Sequence, residues 1–254
     1  MIGTLRDLAA TVIWGQVDAG SAVVRVRRAD QTVEDHPWGS AGVDLLAAAA
    51  PWRVFRWYQG QQHFSGTYWS STQRDHVIYE SRLELAVLLL ADSDPQVSGI
   101  VAQPFLLRAE VGGVVRKHIP DYLLLTDAGP VVVDVKPRHR LAKPEVALTF
   151  GWTRTLVEER GWRYEVRCEP SAARLENVRF LAGYRRDWLF DPGLLARLRE
   201  ANLDGASLGE AFGCLPSWPE PLVRAAVLHL VWAGHFTVDL DQPLSGSHRL
   251  RAAR

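Results

Sequence analysis

The sequence predicts a mixed α/β chain of the α+β kind, a mixed sheet flanked by helices and followed by a small helical module. Three observations predict it: an apolar helix former over 77–91, a succession of short β-rich runs between 100 and 135, and a change to helical spacing after Pro170. A chain of 254 residues with 47% apolar content can hold one large domain, or a medium and a small one. The expected division is a β-rich N-terminal extension over 1–75, a core over 76–172 and a helical C-terminal domain over 173–254.

Each element has its own signal. Residues 1–75 are rich in glycine, tryptophan and short apolar stretches such as Ala22 to Arg27 and Val54 to Tyr58, with turn signals at Gly39, Gly60 and Gly66. Val77 to Ala91 reads as one helix, closed by Asp92 to Pro95. Four strands should follow: Ile100 to Ala109, Val114 to His118, Tyr122 to Thr126 and Val131 to Val135. Gly112-Gly113, Pro120 and Asp127 to Pro130 separate them, and such short separations imply antiparallel hairpins. Glu145 to Arg160 is a second helix ended by Gly161, and Trp162 to Cys168 alternates as a further strand. Beyond Pro170, Asn177 to Tyr184 is ambiguous, whereas Pro192 to Ala201, Ser207 to Phe212 and Glu220 to Ala233 have helical spacing. The last helix runs into Gly234 and a short strand, His235 to Leu240. Three short helices before a β-ribbon suggest a winged-helix-like module.

Composition narrows the class. Acids and bases balance at 29 each, so no overall field selects a polyanionic partner, although a neutral total is compatible with a local basic face. Cys168 and Cys214 are too few for a disulfide framework and lack zinc-ligand spacing. The first ten residues lack the basic head and apolar core of a signal peptide, and Leu83 to Ala91 is too short to span a bilayer, so a cytoplasmic protein without a membrane partner is expected. Lysine occurs only at 117, 136 and 143, the other 26 of the 29 basic residues being arginine.

The candidate chemistry lies where charge interrupts apolar elements. In the first helix Leu83, Ala86, Val87 and Leu90 form one stripe, while Leu85, Leu88 and Leu89 extend the apolar surface around most of the circumference. Glu84 should therefore point into the protein, where an unpartnered carboxylate is costly. Val131 to Val135 carries valines on both faces, as a central strand does, and Asp134 and Lys136 emerge side by side from one of them. Asp121 breaks an otherwise apolar strand just after Pro120. Three carboxylates and one lysine from neighbouring elements suit phosphodiester hydrolysis with Mg²⁺, for which Mn²⁺ should substitute. Asp121 is the expected central ligand, Glu84 and Asp134 complete the carboxylates, and Lys136 orients or deprotonates the attacking water. Val135 is expected to join Glu84, Asp121 and Asp134 in holding the metal. Glu80 is expected to support or cap rather than ligate, and His118 to touch a phosphate or Asp121. Arg138 and Arg140 are the best candidates for DNA phosphates among scattered arginines that include Arg25, Arg27 and Arg28. Trp57, Tyr58, Tyr68 and Trp69 are expected to pack as core. Gly205-Ala206-Ser207-Leu208-Gly209 matches a nucleophile-elbow spacing but lacks its preceding strand, so Ser207 is read as a helix N-cap boxed by Glu210.

Ser81-Arg82-Leu83-Glu84-Leu85-Ala86-Val87, Pro120-Asp121-Tyr122 and Asp134-Val135-Lys136-Pro137 together resemble the TnsA-like endonuclease subunit of heteromeric transposases, in the PD-(D/E)xK nuclease superfamily. Gln103-Pro104-Phe105 and Gly161-Trp162 add to the likeness, which spans roughly Tyr79 to Glu169 and, more faintly, the C-terminal part. The resemblance implies a restriction-endonuclease-like core and maps the helix glutamate to Glu84, the first metal aspartate to Asp121 and the water-activating lysine to Lys136. The best-known member has glutamine where this chain has Asp134. The family's activity is nicking of double-stranded DNA at the 5′ ends of a mobile element, with a DDE-type recombinase and an AAA+ ATPase as partners. A stand-alone restriction or repair nuclease and a non-catalytic assembly module are the alternatives.

Overall fold

A computed structural model describes residues 16–53 and 64–252. The expected strand Val54 to Tyr58, with Gly60, lies outside the described residues. In chain order the elements begin β1 (Val17–Arg27), β2 (Val33–Pro37), α1 (Val43–Ala47), β3 (Gly66–Ser70), β4 (Asp75–Tyr79) and α2 (Arg82–Asp92). They continue β5 (Val97–Ala102), β6 (Leu106–Val111), β7 (Val114–His118), β8 (Tyr122–Thr126), β9 (Val131–Val135), α3 (Pro144–Glu159) and β10 (Arg163–Arg167). The chain finishes with α4 (Ala172–Leu181), α5 (Pro192–Glu200), α6 (Leu208–Phe212), α7 (Glu220–Trp232), β11 (Phe236–Thr237) and β12 (Arg251–Ala252). The mixed α/β class is as expected. Among the described residues no helix is long and apolar enough to cross a membrane.

The chain forms two units, one of residues up to Leu88 with Gln96–Glu169, the other of Leu89–Pro95 with Pro170 onward. The first contains two four-stranded sheets, ordered β2-β1-β6-β7 and β10-β9-β8-β5. Both descend from one bent hairpin. The run expected as a single strand from Ile100 to Ala109 breaks at Gln103-Pro104, where Gln103 adopts a left-handed φ of 47° and Pro104 has no N–H for a ladder. Pro120 interrupts the returning arm, and the Gln103 N–H donates to the Asp121 carbonyl at 2.8 Å across the break. On one side of the bend β6 pairs with β7, and on the other β5 pairs with β8. The expectation that all successive strands pair as hairpins therefore fails at β7 and β8, which belong to different sheets.

Strand β9 lies between β8, antiparallel, and β10, parallel, and all five of its residues are buried. A parallel neighbour needs a crossover, which α3 supplies. The core of this unit joins Val24, Val26, Leu107, Leu123, Val132, Trp152, Leu156 and Tyr164. The N-terminal segment is tied to α3: the Trp38 indole donates to the Leu156 carbonyl at 2.9 Å, and the Arg160 guanidinium stacks 3.9 Å over Trp162. Of the aromatics expected to pack as core, Tyr68 is buried, Trp69 is half-buried, and Trp57 and Tyr58 lie outside the described residues.

The first helix starts later than its apolar pattern suggested. Val77 to Tyr79 pair with Gly66 to Tyr68, because a β-branched and aromatic run beside a free strand edge favours the ladder. Helix α2 begins only after Ser81, whose hydroxyl accepts the Glu84 N–H at 3.1 Å.

In the second unit α7 is the core, with Val223, Ala226, Val227, Leu228 and Leu230 buried. The ambiguous stretch resolves into α4 and a short 3₁₀ turn, Ala182–Tyr184. The expected strand His235 to Leu240 keeps only Phe236–Thr237, paired with Arg251–Ala252, since Asp239 accepts the Asp241 N–H in a tight turn that ends it. Ser207 pairs with Arg249 as an isolated bridge. Its hydroxyl accepts the Glu210 N–H while Glu210 accepts the Ser207 N–H, the capping box expected from the sequence.

Candidate active site

Strand ends and one helix start converge on a cleft of about 460 Å³, whose wall includes Glu84, His118, Asp121, Asp134, Val135 and Lys136. All four expected catalytic residues therefore reach one space. The topology accounts for it. Asp121 stands one position before the last β8–β9 pair, Tyr122 with Val133, which brings it beside Asp134 on the neighbouring strand. Its Oδ2 accepts the Val135 N–H at 2.6 Å. Burial, then the charges of Asp134 and Glu84, pushes the Asp121 carboxyl well above the usual carboxylate range, only partly opposed by the Val135 N–H and the Lys136 ammonium.

Asp134 is the most enclosed acid in the site, with 1% of its surface exposed. His118 Nε2 lies 2.8 and 2.9 Å from its two oxygens, and the Tyr164 hydroxyl donates to Oδ2. Of the two partners expected for His118, a phosphate or Asp121, the protein one is replaced by Asp134, because the bend sends β7 into the other sheet, apart from the β8 arm that Asp121 precedes. Burial first, and then the Asp134 charge, pushes the Tyr164 phenol well above its ordinary range, so it stays a donor. Phe150 of α3 walls this cluster, edge-on to His118 at 6.2 Å and to Tyr164 at 6.4 Å, with the Lys136 ammonium 6.0 Å from its ring.

Glu84 caps its own helix. Oε2 accepts the Glu80 N–H at 2.6 Å and Oε1 accepts the Ser81 hydroxyl at 2.9 Å. Burial raises its pKa, against the lowering effect of those two donors. The capping role expected of Glu80 therefore falls to Glu84, while Glu80 binds Arg53 at 2.9 Å and the Gln103 amide at 2.9 Å. The Ser81-x-x-Glu84 spacing carried this signal.

Neither a scan against protein-family models nor a search of the curated proteins finds a match to this chain. The donor chemistry of the cleft fits a hard divalent cation, since three mutually repelling carboxyls face a space in which positive charge would relieve the strain on Asp121. Among the described residues, however, no three acidic, histidine or cysteine side chains stand together as a ready metal cluster. Glu84 and Asp134 have both oxygens engaged by protein donors. Val135 gives its N–H to Asp121, leaving only its carbonyl as a metal donor. Arg138 and Arg140 are exposed on the 3₁₀ turn after Lys136 and outside the cleft wall, with the Arg138 N–H held by Glu169 at 3.0 Å.

Sequence reasoning missed four groups here, Tyr164, Gln103, Arg53 and Lys117, the last three of them in the cleft wall. Alternation along β10 put Tyr164 on the face of Val166, but only the parallel register, Tyr164 with Val132 and Val166 with Asp134, aims that face at the acid.

Proposed function

We propose that this chain is a divalent-metal-dependent DNA endonuclease with a restriction-endonuclease-like core. The observation that carries the reading is the meeting of Glu84, Asp121, Asp134 and Lys136 in one cleft. The order of elements supports it: a helix, a bent hairpin, a central strand ending in the acid and the lysine, a crossover helix and a parallel strand. The second unit supports a winged-helix-like assignment, as α5, the bridge at Ser207, α6, α7, β11, a long loop and β12 follow in that order.

Asp121, engaged by the protein through one oxygen, would hold the cation together with Glu84, Asp134 and the Val135 carbonyl. When bound, Mg²⁺ or Mn²⁺ supplies charge neutralisation at the phosphate and a more acidic attacking water. Lys136, beside the acids on the outgoing strand, orients that water and balances the negative charge that builds on the phosphate oxygens. Tyr164 and His118 hold the Asp134 carboxylate in place, and Gln103 holds Glu80 at the rim. The family resemblance extends the proposal to nicking at the 5′ ends of a mobile element, beside a DDE-type recombinase and an AAA+ ATPase. Nicking of supercoiled DNA in Mg²⁺ or Mn²⁺ tests the activity. Asp121→Ala and Lys136→Ala should each lower it at least about a hundredfold with unchanged circular dichroism; a fully active Asp121→Ala protein overturns it.

One observation favours a second reading, a non-catalytic assembly module: Glu84 and Asp134 spend their oxygens on protein partners. Calorimetric titration with Mn²⁺ separates the two, since binding that disappears in Asp121→Ala supports the nuclease and absence of binding supports the module.

A further inference from the structure

The outer face of the β2-β1-β6-β7 sheet meets the site described above only at Lys117, yet the ladder registers gather further cations on it. Arg25 and Arg27 stand opposite Asp35 and Val33 on β2, and Arg108 stands opposite Val23 on β1 and Lys117 on β7. Directly paired residues share a face, so Arg25, Arg27, Arg108 and Lys117 project together. Val24, Val26, Leu107, Ala109 and Val111 occupy the other face, which is core. Val33, Asp35, Pro37 and Lys117 are exposed, which leaves the basic side in solvent.

Three acids share this face, Asp18, Asp35 and Glu110. Arg25 grips Asp35 with two hydrogen bonds, of 2.5 and 2.8 Å. Arg108 only approaches Asp35, at 3.9 Å, and its buried Nε has no hydrogen-bond partner among the described residues. Arg27 stacks 5.5 Å from the Trp52 ring, and the next residue, Arg53, lines the cleft, as does Lys117. The basic face therefore runs into the cleft at both of its near corners.

We propose that this face binds the phosphate backbone of duplex DNA and leads it into the cleft, Lys117 and Arg53 contacting phosphates next to the reacting one and Arg27 and Arg108 contacting those beyond. The inference rests on the nuclease reading. Arginine forks suit phosphate oxygens, and cations fixed on a rigid sheet meet the regularly spaced charges of a duplex whatever its base sequence.

The test uses the full chain and a labelled random-sequence duplex of about 30 base pairs in EDTA, so that binding is read without cleavage. Fluorescence anisotropy is followed over about 50 to 200 mM salt. The triple variant Arg27→Gln, Arg108→Gln, Lys117→Gln should lose at least about tenfold in affinity, and its salt slope should fall by about 2 to 3, close to 0.9 for each lost contact. A variant with three exposed arginines of the second unit replaced, Arg179→Gln, Arg197→Gln, Arg224→Gln, should match wild type. Equal affinity and slope in the two triple variants overturn the proposal, as does a wild-type chain that does not bind duplex. Failure of the nuclease reading looks different: wild type binds duplex but does not cut it in Mg²⁺ or Mn²⁺.

Discussion

The imidazole of His118 bridges both oxygens of Asp134, at 2.8 and 2.9 Å, across strands that belong to different sheets. The Tyr164 hydroxyl completes the shell around a carboxylate that has almost no contact with solvent. A buried carboxylate deprived of a donor bears the desolvation cost itself, about 1–3 kcal/mol for one lost partner. Tyr164→Phe should therefore reduce stability by about that much. Urea denaturation at neutral pH measures it, and a loss well below about 0.5 kcal/mol would mean that the hydroxyl contributes nothing to holding Asp134.

Glu84 serves two roles that two substitutions separate. Glu84→Gln keeps one oxygen for the Glu80 N–H and turns its NH2 toward the Ser81 hydroxyl, which can accept in place of donating, but it removes the charge a cation needs. Glu84→Ala removes both. The alanine variant should be less stable by about 1 kcal/mol, typical of a lost N-terminal cap, and the glutamine variant close to wild type. Both should bind Mn²⁺ more weakly in calorimetry. Wild-type Mn²⁺ affinity in Glu84→Gln would remove Glu84 from the metal set and leave it a capping residue.

How much of this could be read beforehand depends on the range over which each feature is decided. Ser207 with Glu210 is a contact of four consecutive positions, and it forms as expected. Asp134 and Lys136 on the exit of a buried valine strand were legible for the same reason, since alternation and burial are local. The bend at Gln103 was not, because Gln103-Pro104 and Pro120 mark breaks in the two arms but do not show that the left-handed Gln103 turns the hairpin from one sheet into the next. The contacts that depend on that bend were hidden with it. His118 falls beside Asp134 instead of Asp121, and Tyr164 reaches the acid only through a parallel register set by a sixteen-residue crossover helix. The start of α2 was misjudged where strand pairing competed with helix propensity at Val77 to Tyr79.

The Ser207 box offers a compact check on the second unit. Ser207→Ala removes the acceptor for the Glu210 N–H and a donor to the Glu210 carboxylate. A loss of about 1 kcal/mol in chemical denaturation is expected, with Gly205 and Leu250 still paired. No loss would show that the bridge between Ser207 and Arg249 alone fixes the start of α6.

Asp121 makes the pH dependence of stability run opposite to that of a salt-bridged acid. Its folded pKa is raised, by burial first and then by Asp134 and Glu84, above the value of about 3.9 in an unfolded chain. Between those two values the folded state binds more protons than the unfolded one, so stability falls as pH rises through that window. Above the folded pKa the full penalty is present, about 1.4 kcal/mol for each unit of displacement. Asp121→Asn keeps an acceptor for the Val135 N–H and removes the charge, so it should melt higher than wild type at neutral pH and lose that advantage on acidification toward about pH 4. Added Mn²⁺ should narrow the gap from the other side by stabilising only the wild type. Thermal melts across this range, with and without the cation, measure both effects. An Asp121→Asn protein that melts below wild type at neutral pH would show that the carboxylate is compensated where it stands, and that the cleft has no standing deficit of positive charge for a cation to fill.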